Sequence, residues 1–122
     1  MKQANEIIEK ELLLFFCKQQ KRIEEILSEF AKIGISGSTV IDGHGMGEIV
    51  ADEIPVFSGL RNLFPKGNFQ THILMSVLSK ESLQDVILII KETCGDLCEP
   101  GSGVIVTLPV SRAIGLADQH NV

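Results

Sequence analysis

Between Lys10 and Lys18 the chain carries Leu12-Leu13-Leu14-Phe15-Phe16-Cys17 without a polar interruption. Such a run is strand length, and a strand with apolar side chains on both faces must be covered on both. Helices can roof one face. The other face then needs a second layer or a partner subunit. The rest of the chain has to supply that cover.

The following segment supplies the first helix. From Gln19 to Ile33, apolar residues fall at Ile23, Ile26, Leu27, Phe30 and Ile33, one stripe of an amphipathic helix, and Gly34 is its stop signal. Ile35 to Asp42 reads as a second strand, with β-branched Thr39, Val40 and Ile41. Residues 43–68 are punctuated by Gly43, Gly45, Gly47, Pro55, Gly59, Pro65 and Gly67, which leaves room for no long regular element. A loop of that length in a compact domain is a functional candidate. Phe69 to Leu78 is a third strand: Phe69, Thr71, Ile73, Met75 and Val77 share one face, and Gln70, His72, Leu74 and Ser76 share the other. That mixed second face suits contact with another subunit or a site. Ser79 is the N-cap candidate of a second helix, whose buried stripe is Leu83, Val86, Ile87 and Ile90 and whose stop is Gly95. Val104 to Leu108 forms a fourth strand that Pro109 ends, and the tail from Ser111 has room for a short edge strand.

Residues 1–10 therefore read as an extension, and 11–122 as a single domain containing the loop 43–68. The order β-α-β, loop, β-α-β points to an α+β, ferredoxin-like βαββαβ fold: an antiparallel four-stranded sheet with two helices on one face. The helix-free face then calls for oligomerisation. With 122 residues, 44% of them hydrophobic, there is one core and no second domain to hold a site. Sixteen acids against 11 bases, six Phe and no Tyr or Trp argue against nucleic acid as a partner. No apolar run approaches the roughly 20 residues of a membrane span, and the polar N-terminus is no secretory signal, so the expected location is cytoplasmic. Three cysteines fit a reducing compartment.

Three stretches carry a resemblance. Ile33-Gly34-Ile35-Ser36-Gly37-Ser38-Thr39-Val40 enters the second strand, Gly45-Met46-Gly47 opens the long loop, and Pro100-Gly101-Ser102-Gly103-Val104 leads into the fourth strand through Val110. In this order, on this frame, the chain resembles the nitrogen regulatory protein PII superfamily over about residues 11–116. The resemblance implies a homotrimer with clefts between subunits that bind an adenine nucleotide (ATP, ADP or AMP) or a related small ligand. It implies a mobile T-loop, here 46–68, that reports occupancy to a regulated protein; a membrane transporter is one such partner. The matched nucleotide-binding positions are Gly37, Ser38, Thr39, Gly45, Met46, Gly47, Gly101, Ser102, Gly103 and Val104. Glycines there let backbone N–H groups approach phosphates.

The chain also departs from the family pattern. Ser102 stands where the family has Asp, Val104 where it has Lys, Glu48-Ile49 where it has Arg-Gln, and Gly115 and Ala117 where it has a basic pair. Each missing cation removes a charge-assisted contact of about 1.5–3 kcal/mol. Two alternatives stand beside this reading: a CutA-like metal- or metabolite-binding trimer with the same fold, and a trimeric adaptor that has lost ligand binding, which the missing cations favour.

Catalytic signals are lacking. No nucleophile–base pair or metal spacing stands out, so a non-enzymatic role is expected, with no required cofactor. His44 reads as a solvated loop histidine, with His72 and His120 distant in sequence. Cys94 and Cys98 at the end of the second helix read as small apolar side chains, with a local disulfide as the other option, and Cys17 reads as core.

Overall fold

The computed structural model describes residues 9–47, 49, 70–95 and 103–116. Strand β1 (Lys10–Cys17) is the apolar run, now joined by Lys10 from the expected extension. It is followed by α1 (Gln20–Lys32), β2 (Ser38–His44), β3 (Gln70–Ser79), α2 (Lys80–Cys94) and β4 (Val104–Val110). The sheet order is β2-β3-β1-β4, and every neighbouring pair is antiparallel. This is the expected ferredoxin-like βαββαβ arrangement.

The core lies between the sheet and the two helices. Leu13, Phe15 and Cys17 of β1 meet Leu74 and Leu78 of β3, and Ile23, Ile26, Phe30, Val86 and Ile90 close over them from the helices. Leu27, Leu83 and Ile87 pack at its margin. Ile33, expected in the α1 stripe, is exposed instead, because the helix has ended at Lys32.

How α1 ends explains why β2 starts late. The Gly34 N–H bonds the Ala31 carbonyl at 3.1 Å, and the Ile35 N–H bonds the Phe30 carbonyl at 2.9 Å, with Gly34 at φ 87°. This is a Schellman cap, with Ile35 buried as its hydrophobic partner. Ile35 is thus committed to the helix end. The strand begins at Ser38, not at Ile35, and continues through Gly43 and His44, which the sequence placed in the loop. The α2 start is as expected: Ser79 Oγ accepts the Ser82 N–H at 3.1 Å, and Gly95 closes the far end at φ 79°.

Two further expectations are corrected. The mixed face of β3 is the buried one: His72, Leu74, Ser76 and Leu78 lie under the helices, not against another subunit. Its polar members are tolerated there because β2 satisfies them, as described below. Pro109 does not end β4, which runs on to Val110. The strand is at the sheet edge, where some N–H positions face away from the neighbour and a proline removes no ladder bond. Residues 111–116 form no edge strand.

The opposite face of the sheet carries only apolar rows across its three inner positions. Leu12 lies between Val77 and Leu108, Leu14 between Met75 and Val106, and Phe16 between Ile73 and Val104. No described element covers this face, and Ile41, Val104, Val106 and Leu108 are exposed on it.

Candidate ligand-binding site

Gly37 precedes the edge strand β2. A Cβ added there would meet nothing within 4 Å, and its backbone is not left-handed. The chain's own packing thus gives no reason for a glycine at this position. Its carbonyl accepts from Ser76 Oγ at 3.2 Å, and Ser76 Oγ in turn accepts from Ser38 Oγ at 3.2 Å. The Ser38 hydroxyl is therefore turned towards the helix-covered face, while Thr39, the next residue, lies on the open one.

Gly103 has a different explanation. At φ 133° it tucks against Phe15, and an added Cβ would lie 2.8 Å from the ring. This glycine is required by the core, whatever else it does. Val104 beside it is more than half exposed. Gly101 and Ser102 lie outside the described residues.

At the far end of β2, Met46 is 80% exposed and the Ile49 N–H bonds the Gly45 carbonyl at 3.2 Å, one helical turn. Gly45-Met46-Gly47 therefore opens into helix, not into a bare hinge. The rest of the loop lies outside the described residues.

Gly37 and Gly103 lead into opposite edges of the sheet. Strands β2 and β4 are the two edges of the sheet, with β3 and β1 between them. Three inter-strand spacings separate them by about 14 Å.

Sequence reading missed a pair beside the loop root, a buried histidine against an exposed aspartate. Register sets Cys17, His72 and Asp42 side by side on β1, β3 and β2. The His72 ring is buried, and its Nδ1 lies 2.7 Å from Asp42 Oδ1. The signal was the alternation of β3, which puts His72 in phase with Leu74 and Leu78. Elsewhere, burial holds the Lys10 ammonium below its ordinary value, and burial beside Cys17 raises the Cys94 thiol, against a smaller pull from Arg22. An open groove between α1 and α2, lined by Glu25, Glu29, Ile89, Glu92 and Thr93, shares no residue with the expected site. Among the described residues, no three His, Cys, Asp or Glu side chains gather as a metal site, and no helix is long and apolar enough to cross a membrane.

These features define a ferredoxin-like α+β protein with an apolar sheet face that no described element covers and glycine-bearing edges. No family model matches the chain, and no curated protein matches its sequence. Among solved structures it is similar to the PII protein of Arabidopsis thaliana bound to citrate, at 29% identity and a TM-score of 0.58. That match covers 84% of this chain and 78% of the plant protein. In fold and in sequence, the chain resembles the PII superfamily.

Proposed function

We propose that this chain is a PII-like signalling protein that works as a homotrimer and takes an adenine nucleotide, or a related small anion, in clefts between copies. In this reading Gly37, Ser38 and Thr39 of one copy face the Gly101–Val104 stretch of the next, and Gly45-Met46-Gly47 passes occupancy into the loop 46–68. A partner protein, a membrane transporter among the candidates, reads the loop. The chain acts as a regulator and not as an enzyme.

One observation carries the reading furthest: the apolar open face is flanked by the two edges that bear the matched glycines, so packing that face between copies also pairs the edges. Gly37 is compatible with it, since open space around its Cα leaves room for a neighbour or ligand to approach the backbone. The Arabidopsis protein is bound to citrate, a small polyanion, which makes citrate a rational probe here.

Val104 favours a second reading. An exposed valine stands where the family places a lysine, and a chain that has lost its phosphate partners can persist as a trimeric adaptor. Calorimetry and thermal unfolding with ATP, ADP, AMP, citrate and divalent metals separate these. A nucleotide or citrate at 100 times its dissociation constant adds about 2.7 kcal/mol of stability. No response to any of them, with trimer mass retained, leaves the adaptor. A response to copper or zinc alone selects the CutA-like alternative.

A further inference from the structure

Beyond its backbone ladder with β3, strand β2 is held by polar contacts and little apolar burial. None of its seven residues is buried. On the face turned to the helices, Ser38, Val40, Asp42 and His44 lie beside Ser76, Leu74, His72 and Gln70 of β3. Val40, the one apolar β2 residue in that row, is still 40% exposed. The row is fastened at two points instead. At its start, Ser38 Oγ donates to Ser76 Oγ and Ser76 Oγ to the Gly37 carbonyl, both at 3.2 Å. Four residues on, the His72 ring meets Asp42 Oδ1 through Nδ1 at 2.7 Å. Ser76 and His72 are both more than nine-tenths buried. Among the described residues, neither side chain has a hydrogen-bond partner outside these contacts.

An edge strand without such clasps frays from its ends, a residue or two at a time. Here fraying from either end soon reaches a clasp, and breaking it strands a buried polar group on β3. That costs more than an exposed ladder bond returns. Once both clasps are gone, little buried surface on β2 resists further opening. We propose that β2 parts from β3 and re-forms as one unit, so that its two ends, about 20 Å apart, open and close together. Gly37 precedes its first end, which carries Ser38 and Thr39. Its last end leads into the turn in which the Ile49 N–H bonds the Gly45 carbonyl. The use of this coupling rests on the proposed function: a ligand that braces the first end favours the closed strand, by as much as it prefers that state, and so steadies the loop root.

Amide hydrogen exchange of the full chain, read residue by residue by NMR, tests the unit. The β2 amides bonded to β3 should share one level of protection, lower than that of Leu13 and Phe15 in β1. Protection equal to those core amides would overturn the proposal, because β2 would then open only with the whole molecule. The Asp42 side chain is 58% exposed, so Asp42→Ala leaves the core packing intact. It should speed exchange about tenfold at Thr39 and Val40 as well as beside residue 42. Ser76→Ala should act in the other direction and speed exchange out to His44. A change confined to the clasp that was removed is local fraying, and would also overturn the unit. ATP and citrate then test the coupling. Protection gained from Ser38 through His44 supports it, and protection gained at Ser38 and Thr39 alone contradicts it. Shared exchange with no response to either ligand strikes the binding reading and leaves the strand unit standing.

Discussion

An added Cβ at Gly103 would lie 2.8 Å from Cε1 of Phe15 and 3.0 Å from the Phe16 carbonyl oxygen, at a backbone φ of 133°. Gly103→Ala should therefore cost about 2–3 kcal/mol in urea unfolding, from strain and overpacking together. Gly37→Ala meets open space and should leave stability within about 0.5 kcal/mol. On the proposed function it should nevertheless weaken nucleotide or citrate binding, read by calorimetry. The two glycines look alike in sequence, and their surroundings in the fold separate a packing requirement from open space. Lys10 sets a pH dependence. Burial holds its folded value below 10.5, so between the two values the unfolded chain binds more protons. Stability should rise with pH through that window, and the full cost applies below the folded value. Lys10→Met should flatten this rise in unfolding curves taken from neutral pH up to the ordinary lysine value.

Helical periodicity was legible because the buried stripes of α1 and α2 repeat at the helical spacing, and Ser79 and Gly95 mark the bounds of α2 as expected. Strand limits were less so. Residues 35–37 look extended in isolation, yet the Schellman cap takes Ile35 for the helix end. Gly34→Ala should cost about 1 kcal/mol because of its left-handed backbone. Ser79→Ala should cost a similar amount, about 1 kcal/mol, through the lost bond to Ser82 N–H. Chemical denaturation of each variant checks both. The faces of β3 were assigned in reverse because alternation identifies two faces but not which one is roofed. His72 and Ser76 are satisfied where they are buried by Asp42 and Ser38 on β2 and by Gly37 just before it. That is a tertiary fact with no local signature.

At the scale of the molecule, the apolar rows through Leu12, Leu14 and Phe16 need a cover that the described elements do not provide. Leu14→Lys and Met75→Glu place charges at neighbouring points of this face. If the chain is the proposed homotrimer, either should lower the solution mass measured by light scattering from that of a trimer to that of a single chain, with the helical circular dichroism retained. The requirement for two-sided cover was readable from the first apolar run; the separation of the glycine stretches was not, because it depends on strand order. That separation has a genetic consequence. If each pocket takes β2 from one copy and β4 from the next, a variant defective at Gly37 and another defective at Val104 can rescue each other. In randomly mixed trimers of two such inactive chains, about one cleft in four would join two intact edges. Binding would then return in a mixture of proteins that each lack it alone.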